Sequence, residues 1–357
     1  MTALPGCLEE VTADWVAEAL SNTIGELDSM TVENLGDGIG QVSELGKLKI
    51  ETRDGEQHTL IVKTRTNVPA MHDLGLSYGM YEREVNFYQQ MADDISLRTP
   101  EVYYAEWDPD SERVALLMEF MDGWYSPDQV AGATREEMEK AIRGLASLTA
   151  SYWNSPLRGR IHWLGDSQAD YYRKISADYP SSIDGFLERF GNQMSPDIER
   201  TLNRINRASG AILKAQSEGT YALTHWDYRV ENLFFKRDEP DVAVIDWQLM
   251  MWMKPAWDFT YLCFTNITQE DRHAWLEELS ELYLEELARH GVEGYGKDEL
   301  NADIRLCLPG ISVVPVIGGS SFDETNERSR ALFGAVAQRI FSGIEEMECM
   351  SRLDCVA

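Results

Sequence analysis

Residues 225–247, HWDYRVENLFFKRDEPDVAVIDW, place a histidine, an asparagine and well-spaced aspartates in one short segment. Two apolar runs, LFF and VAVI, flank an acidic turn that contains a proline, and this pattern is typical of a β-hairpin. A hairpin returns its far end beside its start. We therefore expect Asp246, at the end of the second run, to lie near Asp227 and Asn232.

These polar side chains suit transfer of a phosphoryl group from a nucleotide. One carboxylate, Asp227, can orient or accept the proton of an attacking hydroxyl. The amide oxygen of Asn232 and the carboxylate of Asp246 are ligands that Mg²⁺ accepts beside phosphates. The spacing H-x-D-x-x-x-x-N, followed by an Asp at a strand end, is that of a kinase catalytic loop and its metal loop. A tight turn with Asp and Asn as turn-forming residues is the weaker alternative.

Length and charge narrow the class of protein. At 357 residues the chain is longer than an average domain and suits two lobes around a cleft. The 61 acidic residues outnumber the 32 basic ones, for a formal net charge of −29. Such a surface repels nucleic acid and anionic membranes, so we expect neither as a partner.

Cysteine usage and hydropathy indicate a cytoplasmic protein. The five cysteines are dispersed without C-x-x-C spacing, which favours reduced thiols over a disulfide framework or a zinc site. The first residues lack the basic and apolar segments of a signal peptide. The sequence contains no run of 18 apolar residues, so we expect no transmembrane helix. We expect a cytoplasmic monomer or homodimer.

A glycine-rich loop and a strand that contains a lysine precede the central segment. MTVENL and KLKIET alternate like strands, with GDGIGQVSELG between them. Gly38, Gly40 and Ser43 in this loop can lay backbone N–H groups over phosphates, although most glycine-rich hairpin loops are only turns. Lys63 lies in the apolar strand HTLIVKTRT. It either faces water from an edge strand or, if buried, requires an opposite charge.

The segment YEREVNFYQQM, residues 81–91, predicts a helix that supplies this opposite charge. Glu84 shares one face with the apolar residues three, four and seven positions further on. Because that face should be buried, we expect Glu84 rather than Glu82 to pair with Lys63. In kinases such a pair holds the α- and β-phosphates of the nucleotide.

Residues 114–121, VALLMEFM, predict a buried strand that is followed by an Asp-Gly turn. We expect the backbone at Glu119 and Met121 to hydrogen-bond an adenine ring. We also place a lobe boundary here. Residues 1–121 form an N-terminal lobe with the nucleotide-binding sheet, and residues 122–357 form a C-terminal lobe with the catalytic loop, metal site and substrate pocket. The alternative is an ordinary sheet strand that ends in a turn.

The rest of the chain predicts mainly helices. A capping signature, T-x-x-E, starts a strong amphipathic helix at residue 134. Residues 168–216 predict helix broken at Pro180 and Pro196. The Gly- and Ser-rich stretch 309–326 predicts a loop that can border a substrate site.

The chain resembles the aminoglycoside phosphotransferase-like kinases, in particular the branch with ecdysteroid-kinase-like and choline-kinase-like enzymes. The segments LTHWDYRVENLFF, VAVIDWQ and WDFTYL carry the resemblance. It implies an α+β, protein-kinase-like two-lobed fold, with a small β-rich N-lobe and a larger, mainly helical C-lobe. It also implies ATP- and Mg²⁺-dependent transfer of the γ-phosphate to a hydroxyl of a small organic molecule.

Matched motif by motif, the resemblance also assigns roles to individual residues. Asp227 becomes the catalytic base, and Asn232 and Asp246 become the metal ligands. Lys63 becomes the phosphate-binding lysine. Asp258, in WDFTYL, becomes a structural acid that supports the catalytic loop.

One residue departs from the family pattern, because Trp226 stands where the family usually has glycine. A bulky ring there predicts an altered acceptor side of the site. It also favours the alternative of a non-catalytic nucleotide- or metabolite-binding pseudokinase, whereas the intact motif residues favour an enzyme. A regulatory protein that binds no nucleotide is a third alternative.

The acceptor is better predicted as a small molecule than as a protein, because the metal-binding Asp is followed by Trp-Gln and not by Phe-Gly. Core packing is the default role of the tryptophans around the site, Trp226, Trp247, Trp252 and Trp257. If some line the pocket, they favour a bulky apolar alcohol or a quaternary ammonium. The acidic composition also suits an aminoglycoside, but global charge says little about one pocket.

Overall fold

The computed structural model describes residues 3–36, 42–237, 239–322 and 326–351. The chain divides into two compact units, Met1–Asp94 with Thr99–Gly123, and Ile95–Arg98 with Trp124–Ala357. The assignment of residues 1–121 and 122–357 to a nucleotide-binding and a substrate-binding lobe stays a prediction.

The first unit contains an antiparallel five-stranded sheet with the strand order β1-β2-β3-β5-β4. Its strands are β1 Leu27–Asn34, β2 Ser43–Thr52, β3 Gln57–Arg65, β4 Val102–Asp108 and β5 Arg113–Glu119. Because β3 lies between β2 and β5, Lys63 is on an interior strand and the edge-strand alternative is wrong.

Side-chain alternation along β3 separates an apolar face from a charged one. Leu60 and Val62 belong to a buried cluster that includes Trp15 and Val16 of helix α1, Ala13–Ala19. Thr12 caps this helix by accepting a hydrogen bond from the Trp15 backbone N–H. Lys63 falls between Val62 and Thr64 in the alternation, so its side chain points to the opposite face of the sheet.

Two further helices complete the first unit, α2 Pro69–Ser77 and α3 Met80–Gln90. Helix α3 confirms the helix predicted at residues 81–91. Of the predicted face, Glu84, Phe87 and Met91 are buried and Tyr88 is half-buried. Helix α2 was not predicted. It is only weakly amphipathic, with Gly75 as its one fully buried residue, so its sequence carries little helical periodicity.

The second unit is mainly helical. Its helices are α4 Arg135–Ser151, α5 Asp170–Phe190, α6 Ile198–Ser217, α7 Trp257–Thr265, α8 Gln269–Arg289, α9 Lys297–Ile311, α10 Val313–Ser321 and α11 Glu327–Glu346. The predicted capping box at the start of α4 is present. The Thr134 hydroxyl accepts the backbone N–H of Glu137, and the Glu137 carboxylate accepts the backbone N–H of Thr134.

Four short strands of the second unit flank the polar residues of segment 225–247. They are β6 Ala222–Thr224, β7 Leu233–Phe235, β8 Val242–Val244 and β9 Met251–Met253. The pair β7 and β8 is the antiparallel hairpin predicted from the central segment. The pair β6 and β9 is also antiparallel and supports the loop that begins at His225.

Two local predictions in the second unit are wrong. Helix α5 continues through Pro180, because its buried stripe, which includes Tyr179 and Ile183, extends past the proline. Burial of that stripe outweighs a proline cost of about 3 kcal/mol. The stretch from 309 is likewise not a loop, since it forms the end of α9 and all of α10.

The glycines of that stretch allow close helix packing rather than turns. A Cβ on Gly318 would lie 2.4 Å from the Phe333 ring, and one on Gly310 would lie 2.6 Å from Gln216 Nε2. By length and composition the stretch Lys297–Ser320 is apolar enough to cross a membrane. However, 61 % of its apolar window is buried inside the protein, as expected for a core helix.

Candidate active site

The loop from His225 to Asn232 has one buried side and one charged side. The residues of the buried side, each at most 4 % exposed, are Trp226, Tyr228 and Val230. The residues of the charged side, which keep 19 to 26 % of their side chains exposed, are Asp227, Arg229 and Glu231. Because successive side chains alternate between the two sides, the buried side chains anchor the loop while the charged side chains stay accessible.

Hydrogen bonds hold the buried side in place. The Tyr228 hydroxyl donates to the carbonyl of Ala141 in α4 at 3.0 Å. The Val230 N–H donates to Asn266 Oδ1, just beyond the end of α7, also at 3.0 Å. The loop is therefore attached to two helices through contacts that do not involve its charged residues.

Asp258, near the start of α7, binds the first residues of the loop. Its two carboxylate oxygens accept the backbone N–H groups of His225 at 2.6 Å and Trp226 at 2.9 Å. Burial raises the pKa of the Asp258 carboxyl to about 7, although the two N–H donors act in the opposite direction. The geometry is that of a structural acid, as the resemblance implies.

His225 is a buried neutral imidazole. Its Nε2 lies 2.9 Å from the carbonyl of Ile245, which follows β8, so the ring links the loop to the hairpin. Burial lowers the pKa of His225, while Asp227 and Asp246 act against that shift. These two carboxylates therefore lie close enough to influence the same ring.

The carboxylate of Asp227 is held by side chains from its own loop. Its Oδ2 accepts Nδ2 of Asn232 at 3.0 Å and Nε of Arg229 at 3.2 Å. Tyr261 of α7 is a further neighbour. Burial raises the pKa of the Tyr261 phenol well above its ordinary value, and the Asp227 charge adds to this. The phenol therefore stays protonated and can donate to the carboxylate.

The hairpin brings Asp246 back beside Asn232. The N–H of Ile245 donates to the carbonyl of Asn232 at 3.0 Å, and Asp246 is the next residue. Asp246 is half-buried and has the left-handed backbone conformation, φ 67°, which Asp tolerates better than most residues. The expected proximity of Asp246 to Asn232 follows from this ladder.

The side chains of this site fit a hard divalent cation. Asn232 uses Nδ2 against Asp227, which leaves its amide oxygen for a metal ion. The carboxylate of Asp246 supplies a second oxygen on the neighbouring strand, and Mg²⁺ prefers oxygen ligands of this kind. In the part of the chain that the structure describes, no metal-binding group of three or more His, Cys, Asp or Glu side chains occurs. A carboxylate–amide pair of this kind can hold Mg²⁺ only together with phosphate oxygens and water.

In the first unit, the predicted contact between Lys63 and Glu84 is present. Nζ of Lys63 lies 2.7 Å from Oε1 of Glu84, and the side chains are 8 % and 2 % exposed. The contact confirms that Glu84 of α3 faces the charged side of β3. The role of the pair in holding phosphates stays a prediction.

The other predicted nucleotide-binding residues have mixed outcomes. Gly38 and Gly40 lie outside the described residues. Ser43 is the first residue of β2, buried and opposite Arg65 in the ladder. Glu119 ends β5, and Met121 follows it as a buried residue. Their contacts with adenine and phosphates stay predictions.

A family model matches residues 41–292, which is most of the chain, and the model is that of the ecdysteroid kinase-like family. The chain belongs to the ecdysteroid kinase-like family. This confirms the family resemblance and the predicted enzyme class, a small-molecule kinase. No curated protein matches the sequence.

Several solved structures share the fold. One is a putative aminoglycoside phosphotransferase from Ralstonia eutropha JMP134, at 17 % identity and a TM-score of 0.53, covering 94 % of this chain and 97 % of the other. Choline kinase LicA from Streptococcus pneumoniae is similar at 15 % identity and a TM-score of 0.54, and the match covers 93 % of this chain and 98 % of the other. Amicoumacin kinase hAmiN is similar at 14 % identity and a TM-score of 0.54, and the match covers 93 % of this chain and 94 % of the other. At this identity the likeness shows the fold alone, and it confirms the predicted α+β, protein-kinase-like class.

In this ecdysteroid kinase-like chain, Trp226 stands where the resemblance implies a glycine, and its backbone has a conformation that favours glycine. Its φ of 73° is the left-handed conformation, which costs a non-glycine residue about 1–2 kcal/mol. Trp226 stacks on Trp257 with ring centroids 5.6 Å apart, and Tyr172 packs edge-on at 6.0 Å. The carbonyl of Trp226 also accepts the indole N–H of Trp257 at 3.1 Å. These contacts hold the strained conformation in place.

The packing of Trp226 changes the interpretation of the tryptophan cluster. All four tryptophans around the site are at most 4 % exposed, namely Trp226, Trp247, Trp252 and Trp257. They therefore form core and do not build an exposed aromatic cage. The expectation that Trp226 reshapes the acceptor side is not supported by its packing, and the cluster gives no reason to favour a quaternary ammonium.

Sequence reasoning missed three residues that contact or surround Asp227. Arg229 and Glu231 are on the same side of the loop as Asp227, and the alternation in WDYRVE is the signal that would have shown it. Tyr261 reaches Asp227 from α7, and nothing in the local sequence indicates this contact.

Proposed function

We propose that this protein transfers the γ-phosphate of ATP to a hydroxyl group of a small organic molecule, with Asp227 as the base. The observation that carries the proposal is the arrangement at the loop and hairpin. There the amide of Asn232 holds the Asp227 carboxylate, while the hairpin ladder places Asp246 next to Asn232. A base beside two oxygen ligands is what phosphoryl transfer to an alcohol requires.

In the proposed step, the acceptor oxygen forms a bond to the γ-phosphorus as the bond to the bridging oxygen of ADP breaks. The hydroxyl proton passes to Asp227, and ADP leaves with the electron pair of the broken bond. Asp227 is suited to this, because it is partly exposed and its position is held by Asn232 and Arg229. It can therefore meet a hydroxyl from solvent without rearrangement of the loop.

Residues suited to Mg²⁺-ATP occur in both units. In the first unit, the Lys63 ammonium, oriented by Glu84, is suited to the α- and β-phosphates. In the second unit, Asn232 and Asp246 would hold Mg²⁺, which neutralises phosphate charge when bound. The acidic composition and the free thiols of the four described cysteines are compatible with a cytoplasmic location.

The proposal is tested by measuring ATP turnover across a panel of alcohols. The panel takes its classes from the family and the structural neighbours: an ecdysteroid, choline, aminopropanol, an aminoglycoside and simple apolar alcohols. Mass spectrometry identifies the phosphorylated product. We expect one class to give acceptor-dependent ADP release, and we expect Asp227→Asn to reduce kcat about 10³-fold without loss of ATP binding.

Two outcomes would reject the proposal. If the Asp227→Asn variant turns over as fast as the wild type, Asp227 is not the base. If calorimetry shows ATP binding but no acceptor in the panel or in a cell extract is phosphorylated, the pseudokinase alternative gains. Trp226, the feature that favoured this alternative, supports it less now that its indole is packed in the core.

A further inference from the structure

We infer that Arg229 is a positioning residue that fixes the Oδ2 oxygen of the Asp227 carboxylate and so orients the carboxylate toward the acceptor hydroxyl. This inference rests on the proposed function, and it assigns a role to a residue outside the motif.

Both loop donors bind the same carboxylate oxygen. Arg229 Nε and Asn232 Nδ2 donate to Asp227 Oδ2 at 3.2 and 3.0 Å. A carboxylate that is held at one oxygen has its rotation about the Cβ–Cγ bond restricted. The second oxygen, Oδ1, then points in a fixed direction, as a base requires if it is to meet a hydroxyl at a defined angle.

The guanidinium of Arg229 is itself braced. Its Nη1 lies 2.5 Å from Glu231 Oε2 and 3.2 Å from Gln129 Oε1. Glu231 is in turn bound by Arg328 of α11, whose other nitrogen Nη1 lies 2.7 Å from Asp128 Oδ1. The long arginine side chain therefore cannot swing away from Asp227 without breaking several charge-assisted contacts.

The guanidinium keeps its charge at this position. Burial acts to lower the pKa of Arg229, but the carboxylates of Asp227 and Glu231 outweigh burial and raise it above its ordinary value. A permanently charged, planar donor is better suited to a fixed contact than a lysine, which presents a flexible point charge.

Arg229 could instead be only a brace between Glu231 and the Gln129 segment. Arg328 provides a matched control, because it binds the same Glu231 without any contact to Asp227. We compare Arg229→Gln, Arg229→Lys and Arg328→Gln with the wild type, in the full-length protein. Melting temperatures confirm folding, and steady-state kinetics with the acceptor identified above separate kcat from KM.

For a positioning residue, Arg229→Gln lowers kcat about 10- to 100-fold, while KM for ATP and for the acceptor changes less than about threefold. Arg229→Lys recovers part of the lost kcat, since Nζ can still reach Asp227 or Glu231. Arg328→Gln stays within about threefold of the wild type. Addition of guanidinium ion to an Arg229→Gly variant, which opens space for it, raises kcat again.

The inference is overturned if Arg229→Gln keeps the wild-type kcat, or if Arg229→Gln and Arg328→Gln lose kcat equally. In the second case the effect is that of the shared Glu231 brace. A wild-type protein that phosphorylates no acceptor is a failure of the proposed function, which is recognised before any Arg229 variant is compared. The two failures are therefore distinct.

Discussion

Two charged arrangements, one in each unit, are built in different ways. The Lys63–Glu84 pair joins a regular strand to a regular helix through a contact of 2.7 Å, and both side chains are buried. The arrangement around Asp227 lies on a loop. It combines a strained backbone at Trp226, a supporting acid at Asp258 and several donors on one carboxylate.

The difference teaches how each arrangement is specified. The Lys63–Glu84 pair depends on side-chain periodicity. The alternation along β3 directs Lys63 toward α3, and the helical spacing along α3 directs Glu84 toward β3. The loop has no repeating backbone geometry, so its conformation depends on contacts from α4 and α7. A pair of this kind should fail as one unit, whereas the loop should show graded effects that depend on which contact is removed.

The largest expected effect is at Asp246, the proposed metal ligand in the second unit. We expect Asp246→Asn to weaken Mg²⁺-dependent ATP binding and to lower turnover about 10³-fold, since loss of metal-held charge is worth several kcal/mol. Asn is chosen because it tolerates the left-handed backbone that Ala would strain. Mg²⁺ titrations of ATP binding and of turnover check this.

Asp241 provides the control, because it is an exposed aspartate at the turn end of the same hairpin. Asp241→Asn should keep wild-type Mg²⁺ dependence. If Asp246→Asn retains both ATP affinity and turnover, the metal role is wrong and the hairpin is only a structural element.

The buried pair of the first unit should give the next largest effect. We expect Lys63→Met and Glu84→Gln each to lower kcat/KM for ATP about 10- to 100-fold. The double variant should be no worse than Lys63→Met alone, because partners that act as a unit are not additive. Kinetics of the four proteins form a double-mutant cycle.

Lys49 in β2 is the matched surface lysine, since its contact with Glu33 is 3.9 Å and both side chains are more than 60 % exposed. Lys49→Met should change neither stability nor kcat/KM beyond about twofold. Additive losses in the Lys63 and Glu84 variants would show that the two residues act independently.

The smallest effect concerns stability at the supporting acid. The pKa of Asp258 is about 7 in the folded state against 3.8 as a reference, so between these values the folded carboxyl keeps a proton that the unfolded one has lost. Its contribution to stability therefore falls as the pH rises from about 4 to about 7, and is constant above that. Asp258→Asn removes this slope.

Melting temperatures from pH 4 to pH 8 measure the prediction as a difference between wild type and Asp258→Asn. The difference cancels groups common to both proteins, including His225, whose lowered pKa costs stability as the pH falls. Between pH 5 and pH 8 the melting temperature of the wild type should fall by a few degrees relative to that of the variant. Parallel curves would mean that Asp258 is ionised throughout this range.

Much of the fold was readable from local pattern. The strands β2, β3 and β5, the face of α3 that contains Glu84, and the cap of α4 follow from alternation, helical spacing and capping residues. The errors are also physical. Local propensity predicts a break at Pro180 and a loop over 309–326, but buried helix faces override it.

By itself, the sequence determined which residues can do chemistry here. The spacing of Asp227, Asn232 and Asp246 and the hairpin between them are local properties, since a two-stranded ladder joins residues that are near in the chain. Only the tertiary structure decided how the loop around Asp227 is supported, because Tyr261 and the supporting Asp258 come from α7, about 30 residues further along. It also decided that Trp226 is core, because solvent exposure depends on neighbours that no local pattern names.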